Sequence, residues 1–303
     1  MTGIFFIFVI MKICLIQPDI AWGDPQANCA RLEGLLAGAP EADLYLLPEM
    51  FTTGFATLPD ATVEHEPSVG LAWMQRTAAR LGAALAGSIA LSLPDDCLER
   101  SEVRISGPDG PGTFASQKSE RGLWTQGDRG ICPRNKCVNR FYFVRPDGSF
   151  EQYDKRHLFG YGGEGERFRG GNERVVVEWG GVRFLLAVCY DLRFPVWLRN
   201  RDDYDVLLLV ASWPDVRRFA WDMLTRARAI ENACYVAAVN RVGEDPACKY
   251  NGGTAFIGPY GETLAAAPDG QQAWILGEID LTHLAEYHAK FPVLQNADDF
   301  TLQ

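Results

Sequence analysis

The stretch DVLLLVASWPDVRRFAWDMLTRARAIENACYVAAVN, residues 205–240, contains the pattern that decides the fold. It opens with the apolar run 205–211 and closes with the apolar run 235–240, and each has the length of a buried strand. The spacing of the residues between them predicts a helix over 217–232. Three apolar residues form the predicted inward face of this helix: Leu224, Ala227 and Ile230. A strand, a helix and a second strand in this order are typical of an α/β protein.

The same alternation extends along the chain on both sides of this stretch. Further single strands are predicted at 13–17, 43–47, 83–92, 254–257 and 273–280. Helices are predicted after the N-cap residues Asp24, which a proline follows, and Ser68. Two hairpins are predicted, each with glycine in its turn: 141–153 and 174–189. Together these elements predict a mixed sheet covered by helices.

Composition and charge exclude several classes of protein. The 303 residues are 47% apolar and 22% charged, which is ordinary for a globular protein. Lys and Arg number 29 against 39 Asp and Glu, and a net charge of −10 argues against nucleic acid as a partner. The apolar start MTGIFFIFVI is too short to span a membrane, which requires about 20 residues. We expect one domain over 11–285, with residues 1–10 as an extension and 286–303 as a tail.

The eight cysteines are scattered through apolar runs, which favours reduced thiols and a cytoplasmic protein. Cys132 and Cys137 form an isolated C-x4-C. A zinc site needs about four ligands, and no second pair lies nearby, so two surface thiols are the favoured interpretation. A thiol redox protein is disfavoured because the sequence has no C-x-x-C.

Residues 98–137 interrupt the alternation. They are rich in Gly, Pro, Ser and Arg and show no strand or helix period. A long structureless stretch is uncommon inside a compact domain, so we predict a disordered surface insertion. From residue 98 to 140 there are eight Lys and Arg against five Asp and Glu, so a basic docking loop is the alternative.

Polar residues at strand ends are candidates for chemistry, because α/β proteins place their sites there. In LYLLPEMFTTGF, residues 44–55, Glu49 follows an apolar strand. Partial desolvation would raise the pKa of its carboxyl group and suit it to act as a general base. The alternative for Glu49 is a solvated side chain after the strand.

A lysine and a cysteine occupy two further strand ends. In YDKRHLFG, residues 153–160, Lys155 is placed to stabilise developing negative charge, or is simply exposed. We expect the neighbouring His157 to be packed and hydrogen-bonded rather than catalytic. In FLLAVCYDLRFPVWLRN, residues 184–200, Cys189 ends a strand and is either a nucleophile or a buried structural cysteine.

Taken together, the phrases LLPEMFTTGF, YDKRHLF and VCYDLRFP resemble the nitrilase superfamily of carbon–nitrogen hydrolases. The phrases LVASWP, RARAIEN and NRVG, at 209–214, 226–232 and 240–243, resemble its omega-amidase branch, which hydrolyses 2-oxo-dicarboxylate monoamides such as 2-oxoglutaramate or 2-oxosuccinamate. The resemblance implies a four-layer α-β-β-α sandwich, a homodimer, and no metal or organic cofactor. Two alternatives remain: another amidase or carbamoylase of the superfamily, or a non-catalytic relative disabled by the insertion.

The resemblance also implies roles for individual residues. Glu49 would be the general base, Cys189 the nucleophile that forms a thioester, and Lys155 with the backbone N–H of Tyr190 the oxyanion site. A second, supporting glutamate would be Glu164, which we prefer, or Glu166. The predicted substrate contacts are Phe55, Tyr161, Tyr190, Arg193, Trp213 and Pro214. Arg193 suits a substrate carboxylate, and its alternative is a salt bridge inside the turn.

Overall fold

The computed structural model describes residues 10–58, 60–93 and 136–301. Its strands are β1 Ile10–Gln17, β2 Leu44–Leu46, β3 Ala84–Ser92, β4 Cys137–Val144, β5 Phe150–Asp154, β6 Val176–Trp179, β7 Val182–Val188, β8 Val206–Val210, β9 Tyr235–Val239, β10 Val242–Glu244, β11 Lys249–Asn251, β12 Ala255–Ile257, β13 Thr263–Ala266 and β14 Ala273–Asp280. Its helices are α1 Pro25–Ala37, α2 Val69–Leu81, α3 Glu164–Arg167, α4 Pro195–Leu198, α5 Arg218–Asn232 and α6 Leu281–Lys290. None of the helices in these ranges is long and apolar enough to cross a membrane.

The strands form two six-stranded mixed sheets. Sheet I has the order β14-β1-β2-β3-β4-β5 and sheet II the order β13-β12-β9-β8-β7-β6, while β10 and β11 form a separate pair. Alternate side chains of β1 show how the layers pack. Ile13 and Leu15 join the core between the two sheets, whereas Cys14 and Ile16 join the core shared with α1 and α2. With α5 against the other face of sheet II, the molecule is an α/β sandwich of four layers.

The segment 205–240 forms the predicted strand, helix and strand as β8, α5 and β9, and β8 and β9 pair in parallel. The predicted inward face of α5 is only partly right, because Leu224 packs against the core but Ile230 is 50% exposed. The buried residues are Trp221, Thr225, Arg228, Ala229 and Asn232. Polar residues replace apolar ones on this face because they are hydrogen-bonded there. Arg228 Nη2, for example, donates to the carbonyl oxygen of Leu192 at 2.6 Å.

Both predicted hairpins are present, as β4–β5 and β6–β7. Cys137 opens β4 and is fully buried, so the predictions that it belongs to the insertion and is a surface thiol are wrong. The insertion up to residue 135, including Cys132, lies outside the described residues, as do residues 1–9. Leu93 and Lys136, at the two ends of the gap, are joined by a backbone hydrogen bond of 2.8 Å.

The first and last strands of the described chain lie together. Ile10, which we assigned to the extension, is the first residue of β1 and pairs with Asp280 of β14. Helix α6 follows β14 directly and continues past residue 285, where we predicted the end of the domain. Its Tyr287 is buried against the core between the sheets.

Candidate active site

The three residues predicted from strand ends lie together between the two sheets. Glu49 follows β2 of sheet I, Lys155 directly follows β5 of sheet I, and Cys189 directly follows β7 of sheet II. Lys155 Nζ lies 2.8 Å from Glu49 Oε1, and the Cys189 thiol interacts with both side chains. The fold thus brings one carboxylate, one ammonium and one thiol into a single cluster.

The Glu49 carboxylate is fully buried, which excludes a solvated side chain, and it accepts three hydrogen bonds. Lys155 Nζ and Asn139 Nδ2 both donate to its Oε1 at 2.8 Å. The backbone N–H of Ser212, from sheet II, donates to its Oε2 at 2.8 Å. A carboxylate has about four lone-pair positions, so one position remains for the Cys189 thiol.

Lys155 is also fully buried, which excludes an exposed lysine. Its Nζ donates to Glu164 Oε2 at 2.8 Å and to Glu164 Oε1 at 3.1 Å. Glu164 accepts further hydrogen bonds from the Phe159 backbone N–H at 2.7 Å and from Asn139 Nδ2 at 3.1 Å. Glu166 is exposed. Of the two glutamates proposed for the supporting role, Glu164 is therefore the one that contacts the lysine.

Charge balance in this cluster depends on the contacts just described, because two buried carboxylates share one ammonium. Burial opposes the charge on Lys155, but Glu164 and Glu49 outweigh it and raise the pKa of the ammonium, which stays charged. Burial raises the pKa of Glu164, and the nearby charge of Lys155 acts in the opposite direction.

Cys189 is almost completely buried, at 7% exposure, but lies at the wall of a cavity. Burial raises the pKa of its thiol well above the ordinary value, and the negative charge of Glu49 is the second largest cause of this rise. The resting group is therefore a neutral thiol, and nucleophilic attack requires a base to take its proton. Glu49 is the carboxylate placed to do so.

The cavity beside Cys189 has a volume of about 220 Å³, which suits a small molecule. All six residues predicted as substrate contacts line it: Phe55, Tyr161, Tyr190, Arg193, Trp213 and Pro214. Eight lining residues were not singled out from the sequence: Thr57, Phe159, Gly162, Ser212, Arg217, Ala247, Cys248 and Tyr250. Tyr161 stands at the rim with 90% of its surface exposed.

Two arginines bring positive charge to this cavity. The Arg193 guanidinium lies over the Trp213 ring at 5.1 Å, and the Arg217 guanidinium over the Phe159 ring at 5.0 Å. Neither forms a salt bridge with a carboxylate of the described chain, so the alternative of a salt bridge for Arg193 inside its own turn is not realised. Each side chain is braced by an aromatic ring and remains available to an anion.

Several known proteins resemble this chain in both sequence and fold. The carbon-nitrogen hydrolase family matches residues 120–289. The omega-amidase YafV of Escherichia coli K12 is 40% identical over 293 residues, which cover 96% of this chain and 98% of that protein. The chain belongs to the carbon-nitrogen hydrolase family. It is an enzyme that hydrolyses carbon–nitrogen bonds other than peptide bonds, and the resemblance to the nitrilase superfamily and its omega-amidase branch is confirmed.

Other carbon-nitrogen hydrolases and amidases extend this similarity. The 2-oxoglutaramate amidase of Bacillus subtilis is 29% identical over 94% of this chain and 96% of its own length. A CN-hydrolase superfamily protein of Xanthomonas campestris, solved with an arsenic adduct in its active site, is 37% identical with a TM-score of 0.80, covering 97% of this chain and 100% of that one. Nit3 of Saccharomyces cerevisiae, at 20% identity and a TM-score of 0.72 over 94% and 95% of the two chains, shows the same fold.

Asp191 connects the lysine and cysteine turns of this hydrolase and was missed from the sequence. Its buried carboxylate accepts hydrogen bonds from the Tyr153 hydroxyl at 2.8 Å and from the backbone N–H groups of His157 and Val188 at 3.0 Å. His157 Nδ1 lies 2.8 Å from the same carboxylate, and its ring stacks on Phe194. The prediction that His157 is packed and hydrogen-bonded is confirmed.

Asn139 and Ser212 were also missed, although both contact Glu49. Asn139 is a polar residue on the buried strand β4, and that position is the signal that could have revealed it. Ser212 lies in the phrase LVASWP, but its contribution is a backbone N–H, which residue type does not reveal. These residues act through partners that are far apart in the sequence.

Proposed function

We propose that the protein is a cysteine-dependent omega-amidase that hydrolyses a 2-oxo-dicarboxylate monoamide, such as 2-oxoglutaramate or 2-oxosuccinamate, to the acid and ammonia. The observation that carries this proposal is the placement of Cys189, with Glu49 as its base, on a small cavity. Two arginines line that cavity, and neither forms a salt bridge with a carboxylate of the residues that the structure describes. The names of the omega-amidase and 2-oxoglutaramate amidase relatives support the substrate class.

The reaction proceeds in two halves. Glu49 takes the proton of the Cys189 thiol, and the sulfur attacks the amide carbonyl carbon. The ammonium of Lys155 and the backbone N–H of Tyr190 hold the oxyanion. Glu49 then returns the proton to the nitrogen, the C–N bond breaks, and ammonia leaves a thioester on Cys189.

Hydrolysis of the thioester completes the cycle. Glu49 takes a proton from water, and the hydroxide adds to the thioester carbon. The C–S bond then breaks to release the acid, and Glu49 returns the proton to the sulfur, which restores the thiol. Glu164 supports the cluster through its two contacts with Lys155. Side chains, backbone groups and the attacking water supply every proton and charge in these steps, so the proposal requires no metal or organic cofactor.

Arg193 and Arg217 support the choice of an anionic substrate. A substrate carboxylate gains charge-assisted hydrogen bonds from a guanidinium that has no carboxylate partner of its own. The aromatic walls formed by Phe55, Phe159 and Trp213 suit the short carbon chain that separates the carboxylate from the amide.

Ammonia release from 2-oxoglutaramate tests the proposal, with wild-type protein compared with Cys189→Ala. We expect the variant to lose activity by at least about 1,000-fold. Cys248→Ala is the matched control, because Cys248 is a second thiol that lines the same cavity but has no role in the proposed chemistry. Wild-type protein that releases ammonia only from other amides or from carbamoyl compounds would overturn the substrate assignment, and an inert wild type would favour a non-catalytic relative.

We also propose that the enzyme is a cytoplasmic homodimer. Five cysteines of the described residues carry free thiols: Cys14, Cys29, Cys189, Cys234 and Cys248. The cytoplasm keeps thiols reduced. Helix α5 and the turn before it expose an apolar stripe at helical spacing, formed by Val216, Phe219, Met223 and Ile230. A stripe of this kind marks an interaction surface, and a two-fold axis across it would bury both copies of the stripe together.

A further inference from the structure

Asn139 contacts three of the residues assigned to the chemistry. Its side-chain nitrogen donates to Glu49 Oε1 at 2.8 Å and to Glu164 Oε1 at 3.1 Å. Its backbone carbonyl oxygen accepts the backbone N–H of Lys155 at 3.0 Å. The side chain is fully buried in β4 and does not line the cavity, so it acts on the glutamates rather than on the substrate.

The orientation of this amide is fixed by the two carboxylates. A primary amide nitrogen carries two protons, and here each proton meets a different carboxylate. If the amide were rotated by half a turn, its oxygen would face two acceptors and the contacts would be repulsive. The amide oxygen, in its observed position, has no hydrogen-bond partner in the described chain. The arrangement leaves that acceptor unsatisfied in order to place both donors.

We propose that Asn139 is a positioning residue that keeps Glu49 and Glu164 ionised and separate, so that Glu49 is ready to accept the Cys189 proton. Two buried carboxylates close to one ammonium tend to share a proton, which would occupy the base. A neutral amide that donates to both stabilises the charged form of each without adding charge. The titratable groups that face this pair are Lys155, after β5, and Cys189, after β7.

Alkylation of Cys189 by iodoacetamide as a function of pH tests this role without any amide substrate. The rate at Cys189 is followed by mass spectrometry of its peptide, because Cys248 lines the same cavity. In Asn139→Leu the carboxylates lose the shared donor and bind a proton more readily. We expect the acid limb of the profile to move to higher pH by about one unit, so that the rate at a given pH on that limb falls about tenfold.

Asn200→Leu is the matched control. Asn200 is equally buried, but its side-chain nitrogen donates only to the backbone carbonyl oxygens of Tyr204 and Asn232. We expect this variant to lower the melting temperature without moving the pH profile. A profile that stays in place in Asn139→Leu, with a loss of stability like that of the control, would overturn the proposal.

Asn139→Ser replaces Asn139→Leu if the latter does not fold, because its hydroxyl and a water in the space left by the shorter side chain restore part of the lost donation. We expect its profile to lie between those of the wild type and the leucine variant, and an unmoved profile would count against the proposal. The role of Asn139 rests on Glu49 acting as the base of the proposed function. A shifted profile in a protein that does not hydrolyse 2-oxoglutaramate would support the Asn139 role and reject only the substrate.

Discussion

Cys189 begins the turn after β7 with a φ angle of +48°, in the left-handed region that favours glycine. A side chain in this region costs of order 1–3 kcal/mol and persists only where its surroundings fix it. The Asp191 carboxylate, which accepts the backbone N–H of Val188, helps to hold this turn. The strained position aims the sulfur at the cavity, where Glu49 is its base.

Glu49→Gln tests the pairing of base and nucleophile. Burial raises the pKa of Cys189, so the wild-type thiol is protonated at neutral pH and reacts only as Glu49 takes its proton. The variant loses the charge of Glu49, which also raises this pKa, but burial is the larger cause and remains. We expect alkylation of Cys189 in the variant to fall by about 100-fold at neutral pH and to rise steeply only in alkaline solution. Equal rates for variant and wild type at neutral pH would show that Glu49 is not the base.

Arg193→Leu and Arg217→Leu test recognition of the substrate carboxylate. We expect each to raise KM for 2-oxoglutaramate by about tenfold, because a charge-assisted hydrogen bond is lost. Hydrolysis of a neutral amide of similar length should be unchanged. Arg201→Leu is the control, since its guanidinium also stacks on an aromatic ring, that of Phe300, but outside the cavity. If all three variants leave KM unchanged, these arginines do not bind the substrate.

Among individual residues, the sequence predicts those whose place at the end of a strand already suggests a function. Glu49 and Cys189 each follow an apolar strand and Lys155 follows the second strand of a predicted hairpin, so their location at a strand end is visible from neighbouring residues. Asn139 and Asp191 matter because of partners 25 or more residues away, such as Glu164 for Asn139 and Tyr153 for Asp191. No local pattern indicates which polar side chain a buried residue meets across a sandwich.

Among the elements, β3 and β4 form an antiparallel pair although the sequence separates them by the predicted insertion. Their pairing runs from Leu85 with Val144 to Ser92 with Cys137, and the backbone hydrogen bond from Leu93 to Lys136 continues it. The chain therefore leaves and re-enters the sheet at adjacent positions. A short turn could join the same two ends without moving either strand.

We expect replacement of residues 94–135 by a four-residue turn to keep amidase activity. Shortening the loop about tenfold lowers its closure entropy and should raise the free energy of unfolding by about 2 kcal/mol. The measurements are a denaturant titration and ammonia release from 2-oxoglutaramate. A Gly/Ser segment of the original length is the control, because it separates the effect of length from that of the basic residues. If both variants lose activity, the residues of the segment are required whatever its length. That result would favour a basic docking loop over a dispensable insertion.

Helix α5 shows how far periodicity predicts an element. Its position between β8 and β9 follows from the apolar spacing, but the predicted inward face was rotated toward Ile230. The true inward face carries Arg228 and Asn232, which are buried because backbone carbonyl oxygens accept their protons. Counting apolar residues cannot recognise a buried face made partly of hydrogen-bonded polar side chains.

For the whole molecule, the α5 stripe predicts the oligomeric state. Phe219→Glu should convert the dimer to a monomer, because it places a charge in each copy at the centre of an apolar contact. Sedimentation equilibrium measures the mass, and Phe150→Glu, an exposed phenylalanine on β5 of sheet I, is the control. A monomeric wild-type protein, or a Phe219→Glu variant that remains dimeric, would show that this stripe is not the interface.

The sequence predicts the overall architecture better than it predicts the contacts between strands. Alternating strands and helices indicate the α/β class, and the three motifs that resemble the nitrilase superfamily indicate two packed sheets. The pairing of β1 with β14 was not predictable from spacing, because the two strands lie at opposite ends of the described chain. Strand β14 pairs with the edge of β1 that remains open after β2 has paired with the other edge.

That pairing of β1 with β14 has a consequence for how the protein is made. On the ribosome the first strand of sheet I emerges early, and its partner follows only when residues 273–280 have been translated. Until then β1 has a free edge of backbone N–H and C=O groups, which is a template for strands of other chains. Messages cut short before codon 273 should therefore yield chains that aggregate, even though every residue of the catalytic cluster has already been synthesised.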